Sequence, residues 1–212
     1  RRLLIVPLSA ASTVDGSHIP VVISVHPSKA GFEASRPVRV WGRIGLAVDS
    51  HDRADLSTNK LAVLRHTLSI DGRTILTSTY ERVAYADGHL VALDRLRPAP
   101  ESGVFSALFR RPGNRLSFYQ TPMPGQDGTL QAGGEHGLKP GTHEVVVWAQ
   151  DVEGNRTSVR LRLEVSAPAQ IAAARLVSGP QGSAFLEADF TDEDDERLRV
   201  EIAVVAPTRS LV

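Results

Sequence analysis

A chain of 212 residues, 42% hydrophobic and 23% charged, carries enough apolar material for one or two ordinary cores. Its 24 basic and 24 acidic side chains cancel, so no long-range field draws it to nucleic acid or an anionic membrane, and partner choice falls to local features. The absence of cysteine excludes disulfides, thiolate zinc sites and a cysteine nucleophile, and no apolar run reaches the roughly 18 to 20 residues that a membrane-spanning helix needs.

The opening Arg1-Arg2-Leu3-Leu4-Ile5-Val6-Pro7-Leu8-Ser9-Ala10-Ala11 has the basic, apolar and small-residue order of a clipped signal peptide. It lacks an initiating Met, and Pro7 interrupts a short apolar part. A connector from an upstream domain, residues 1–18, accounts for the stretch better. From there on, strand signals dominate: short β-branched or alternating runs bounded by Gly, Pro, Asp and Asn, with no sustained helical period.

Residues 19–26 and 38–49 are the first expected strands. The former ends at His26-Pro27, where a ladder donor is lost, and Gly42 and Gly45 in the latter predict a bulge or tight bend in an edge or corner strand. Residues 61–70 and 73–79 flank Asp71-Gly72 and predict a type I′ hairpin, with Leu64, His66, Leu68 and Ile70 on its core face. The aromatic segment 105–119, folded about a Pro112-Gly113-Asn114 turn, is expected to plug one end of the fold.

A second strong pair follows at 141–149 and 157–165. Val145, Val147 and Ala149 alternate there with Val146 and Trp148, which implies that both faces of the strand are covered. A break at Ser166-Ala167-Pro168-Ala169 precedes a second β pattern, with strands at 185–190 and 198–205 around the acidic loop 192–196. The fold class expected is therefore all-β. An immunoglobulin-like β-sandwich over residues 19–166 is followed by a partial second β domain over 167–212, too short to be a sandwich of its own.

The order of turns between residues 19 and 165 resembles the β-rich region that follows the catalytic domain in large secreted zinc peptidases of the M23, lysostaphin-like, family. The matching features are Gly42-Arg43-Ile44-Gly45-Leu46-Ala47-Val48-Asp49 with Asp52, Leu68-Ser69-Ile70-Asp71-Gly72-Arg73, and Tyr80-Glu81-Arg82. Phe105-Ser106-Ala107-Leu108-Phe109 leading to Pro112-Gly113-Asn114 follows, then Gly141-Thr142-His143-Glu144 through Ala149-Gln150-Asp151 to Gly154-Asn155. The resemblance implies a secreted, periplasmic or cell-envelope parent that cleaves peptidoglycan peptides with zinc. In that family zinc is held by an H-x-x-x-D motif and the last His of an H-x-H motif. His51 and Asp55 fit the first spacing, but the family glycine inside it is missing and none of the seven histidines forms an H-x-H.

The resemblance therefore implies a non-catalytic spacer or substrate-positioning region with no cofactor of its own. Its partners would be an upstream catalytic domain of the same polypeptide and cell-wall peptidoglycan. The alternative is an autonomous module that recognises a surface glycan or protein through its loops.

Other chemistries are weaker. Asp49, Asp52 and Asp55 offer oxygens to calcium, but the run carries His51 and Arg53 and lacks the spacing of a calcium loop, so a solvated loop is the plainer reading. Asp151-Val152-Glu153-Gly154-Asn155 reads as a hairpin turn before it reads as a metal loop. No Gly-x-Ser-x-Gly elbow or phosphate-binding loop occurs, and residues 133–137 read as a flexible connection. Arg110-Arg111 beside aromatics is too little for nucleic-acid binding in a chain of neutral pI. A triad built from the chain's many Ser and its His stays open.

Overall fold

The computed structural model describes residues 2–53, 60–123, 125–167, 170–178, 184–191 and 198–204. The chain divides into two units, Arg1–Ser166 and Ala167–Val212. The first holds β1 (Arg2–Pro7), β2 (Thr13–Val14), β3 (Val21–Ser28), β4 (Gly31–Ala34) and β5 (Val38–Asp49). The small pair β6 (Asp52–Arg53) and β7 (Lys60–Leu61) precedes the hairpin β8 (Arg65–Ile70) and β9 (Arg73–Thr79). A 3-10 helix, Tyr85–Leu90, runs into the single turn α1 (Val91–Asp94). Then come β10 (Arg95–Leu96), β11 (Phe105–Ala107), β12 (Tyr119–Gln120), β13 (Leu130–Ala132), β14 (Gly141–Gln150) and β15 (Arg156–Val165). The second unit is β16 (Gln170–Ser178), β17 (Ala184–Thr191) and β18 (Leu198–Val204), an antiparallel sheet in sequence order. The chain is all-β.

The first unit closes on itself. β5 pairs with β1, β1 with β3 and β3 with β4, each antiparallel. β4 then lies parallel to β15, and β15 returns in parallel to β5, Leu163 to Val165 facing Val38 to Val40. These five strands form a closed ring, where the sequence suggests the two facing sheets of an immunoglobulin-like sandwich. Closure is possible because β5 turns at Gly42, whose φ is +75°. Its first three residues follow β15 and the remainder follows β1. A Cβ at Gly42 would stand 2.9 Å from the Ser12 Cα, so only glycine fits the corner. β5 is a corner strand but not an edge: β2, β11 and β13 pair with it as well.

Residues 2–7 are not a connector. β1 lies between β3 and β5, and Leu3, Leu4 and Ile5 are each at most 1% exposed. Leu3 and Ile5 enter the main core, while Leu4 packs with Ala47 and Phe105 on the opposite face. A strand buried on both faces reads as a continuous apolar run rather than an alternating one, which is why it passes for a leader. Each buried side chain contributes about 1.5–3 kcal/mol of transfer free energy.

From β15 the sheet continues through β14, β8 and β9 to β12. The β8–β9 hairpin turns on Asp71 and Gly72 at φ +48° and +76°, the two positive angles of a type I′ turn. His66, Leu68 and Ile70 are buried and Arg65, Thr67 and Ser69 are not, so one face is core and the other is wet. The aromatic segment runs from β5, where β11 pairs, to β9, where β12 pairs; Leu108 enters the main core, and Leu116, Phe118 and Tyr119 build a second one with Leu76 and Leu90. Among the described residues no helix is long and apolar enough to cross a membrane.

Candidate functional site

Of the carboxylates proposed for calcium, two lie among the described residues. Asp49, at the end of β5, accepts from Nε and Nη2 of Arg2 at 3.2 and 3.0 Å, a two-pronged ion pair across the β1–β5 ladder. Asp52 lies in β6, and Asp55 falls outside the described residues, as does the acidic loop 192–196. The H-x-x-x-D spacing of His51 and Asp55 therefore lies partly outside the described residues. Among the described residues no three His, Asp or Glu gather as a metal site.

Asp151 organises the β14–β15 turn: its carboxylate accepts from the backbone N–H of Glu153 and Asn155 and from the Asn155 side chain, at 2.7 to 2.9 Å. Arg110 packs over the Tyr119 ring and donates to the Tyr119 carbonyl at 3.1 Å, a structural use rather than a nucleic-acid contact. In the segment 133–137, Gly133 lies against the Trp41 ring.

His143 secures the Asp71-Gly72 hairpin. Its Nδ1 lies 2.7 Å from the Asp71 carboxylate and its Nε2 2.8 Å from the Lys139 carbonyl. With an acceptor on each ring nitrogen, the doubly protonated ring satisfies both. Partial burial works against that charge, but the hydrogen bonds to Asp71 and Lys139 outweigh it and raise the pKa above the ordinary value. A raised histidine pKa contributes stability that is complete below about pH 6.5 and is lost as the pH rises through the folded value. An NMR titration should place the His143 midpoint above that of a free histidine, and Asp71→Asn should bring it down. A wild-type midpoint at or below the free value would contradict the ion pair.

The strongest candidate for nucleophilic chemistry is Ser50, whose Oγ is 2.6 Å from Nε2 of buried His66. Ser50 lines a mostly apolar cavity of about 70 Å³ with Val25, Phe32 and Val147. Burial, reinforced by the charge of Arg95, lowers the His66 pKa to about 3. Its Nδ1 is buried with no hydrogen-bond partner. A base this weak, with no carboxylate to orient it, does not activate a serine near neutral pH.

Asp94, the last residue of α1, is fully buried. Its carboxylate accepts a short hydrogen bond from Tyr119 and another from Tyr80 at 3.4 Å, and Arg95 Nε lies 3.3 Å away. Asn114 donates to the Tyr119 hydroxyl at 3.3 Å. Burial raises the carboxyl pKa against the opposing pull of Tyr119, Arg95 and Tyr80. The network fastens the 85–95 segment to β9 and β12. Nothing in the spacing of the sequence marks Asp94, because a buried carboxylate has no periodicity.

Trp148 is one of several large hydrophobic side chains exposed among the described residues. On β14, Val145, Val147 and Ala149 are buried, while Trp148 on the opposite face is 41% exposed and Val146 half-buried. The expectation that both faces of this strand are covered is corrected here: the indole is left open to solvent beside a covered neighbour. That neighbour, Ser158, directly opposite on β15, is capped by the turn before β4, to which it donates at Ala30. The other direct neighbour is Thr67 on β8, which pairs in turn with Thr77, and Thr77 with Gln120. The result is a face in which one aromatic ring stands among hydroxyl, amide and guanidinium groups. Short β-branched threonines hold few rotamers, so the face is preordered. The exposed indole gives it a large apolar contact area with a polar N–H, the composition of a stacking platform. The chain matches no protein-family model, no curated protein and no solved structure.

Proposed function

We propose that this chain is a non-catalytic, substrate-positioning region that holds a cell-envelope polymer on the Trp148 face. In this reading it belongs to a secreted or periplasmic M23-like zinc endopeptidase and works beside an upstream catalytic domain that carries the zinc and cleaves peptidoglycan peptides. It does the task of the immunoglobulin-like sandwich that the resemblance implies: a rigid β frame that presents one face. The observation that carries the reading is an exposed tryptophan whose neighbours on the same sheet face are threonine, serine and arginine, an aromatic ring set among polar partners. The same face serves an autonomous glycan-binding module, and the two differ only in whether a peptidase domain shares the polypeptide.

Co-sedimentation with insoluble peptidoglycan tests it. The wild-type chain should pellet with the polymer, and Trp148→Ala should bind about tenfold or more weakly, because a central aromatic anchor carries a disproportionate share of interface energy. Circular dichroism should be unchanged, since Trp148 supports no core cluster. Failure of the wild-type chain to bind, or full binding by a folded Trp148→Ala variant, would remove the face from the function.

A further inference from the structure

We propose that the Trp148 face is selective for an anionic glycan, a polysaccharide whose pyranose rings stack on the indole and whose carboxylates are taken by the arginines around it. This rests on the reading above and adds the ligand class.

The strand register places the charges. Trp148 faces Thr67 and Ser158 directly, so its diagonal neighbours on the same face are Arg65 and Ser69 on β8 and Arg156 and Arg160 on β15. Three of these four positions are arginine. Diagonal neighbours lie about 7–8 Å apart, within reach of long side chains. Among the described residues none of the three guanidinium groups is stacked on the indole; the ring contacts of arginine involve Phe105, Tyr80 and Tyr119.

The chain as a whole is neutral, and Arg2, Arg36, Arg43 and Arg95 all meet carboxylates. Arg65 and Arg156 are different. Arg65 Nε donates to the Thr79 hydroxyl at 3.1 Å and Arg156 Nε to the Gln150 side-chain carbonyl at 3.2 Å. Neutral acceptors thus hold each stem through Nε, and among the described residues neither guanidinium meets a carboxylate. Arg160 has only a loose contact with Glu144, 3.5 Å between two groups that are each about half exposed. A guanidinium held in this way presents its terminal N–H groups to a carboxylate in a planar, two-pronged fit. The negative face of the indole suits the C–H groups on the flat side of a sugar ring, and Thr67, Thr77 and Gln120 offer partners for its hydroxyls. A nucleic acid would use the same ring, but it asks for a longer track of phosphate contacts than three arginines in a neutral chain supply.

The full chain should be titrated by calorimetry against polygalacturonate, against the same polymer fully methyl-esterified, and against single-stranded oligo(dT). Polygalacturonate should bind, with the ester roughly tenfold weaker, and added salt should erase the difference. The Arg65→Gln/Arg156→Gln double variant should lower affinity for the acidic polymer roughly three- to tenfold, leaving the ester unaffected. Trp148→Ala should weaken both. Equal binding of acid and ester, or retention of peptidoglycan with no binding of either polymer, overturns the selectivity while the positioning face stands. Tighter binding of oligo(dT) at 0.15 M salt overturns the glycan class. No binding to any of these polymers, peptidoglycan included, overturns both readings.

Discussion

Replacing Asp94 with alanine is expected to destabilise the first unit by about 3–5 kcal/mol, enough to lower its melting temperature by roughly 10 °C. The carboxylate is fully buried and sits among the hydroxyls of Tyr119 and Tyr80 and the guanidinium of Arg95. Deleting it strands the buried Tyr119 hydroxyl and removes the shared acceptor of Tyr80 and of the partly exposed Arg95, and this penalty exceeds the small packing loss of a truncated side chain. Burial and the nearby charge of Asp94 also push the Tyr80 hydroxyl up to about 12 and the Tyr119 hydroxyl higher still, so both remain donors at any working pH.

Asp94→Asn separates charge from shape. It keeps an acceptor for Tyr119 but turns an amide N–H₂ toward Arg95, so it should fall between wild type and alanine. Because the folded carboxyl pKa is raised, the contribution of this group is greatest below about pH 4 and declines as pH rises through the folded value. The asparagine variant should lose that part of the pH dependence. Urea unfolding of the three proteins measures all of this, and an alanine variant within about 0.5 kcal/mol of wild type would contradict the network.

The second large effect is acid lability centred on His66. A histidine with a pKa near 6.5 in the unfolded chain and about 3 in the fold takes up a proton more readily when unfolded. Its contribution is therefore complete above about pH 6.5 and is lost as pH falls toward the folded value. The loss amounts to about 2 kcal/mol by pH 5 and about 4 kcal/mol by pH 3. Desolvation is the leading cause. The ring lies behind β8 with Nε2 on Ser50 and its edge toward Tyr80 at 5.7 Å, and the charge of Arg95 adds to the penalty.

Going from pH 7.5 to pH 5 should cost the wild type about 2 kcal/mol more unfolding free energy than it costs His66→Leu, whatever the variant's absolute stability. An unchanged difference in the variant would assign the acid response elsewhere. The window is distinct from that of Asp71, whose carboxyl is lowered chiefly by its hydrogen bond to His143. The Asp71 contribution persists to below about pH 4 and is lost only as pH falls through its folded value.

What the sequence by itself determined about this protein is local. Asp71-Gly72 dictates a tight turn because both residues accept positive φ, and the alternation in 65–70 then decides which side of β8 is core. The β14–β15 hairpin is as clear, since Asp151 closes its turn within five residues. These features depend on neighbours in the chain, and together they are enough for an all-β fold.

The tertiary structure decided everything that rests on distant partners. The run Leu3 to Ile5 becomes a strand because β3 and β5 pair with its two edges while the main core and Phe105 cover its two faces. The ring closes through parallel pairs such as Val159 with Phe32, which join segments far apart in the chain and leave no local pattern. The tyrosine donors that hold the Asp94 carboxylate, and the cover that encloses Val147 but misses Trp148, are likewise supplied by remote elements. Alternation tells that two faces of a strand differ. Only packing tells which of them meets water, and at Trp148 that decision creates the surface on which the proposed function rests.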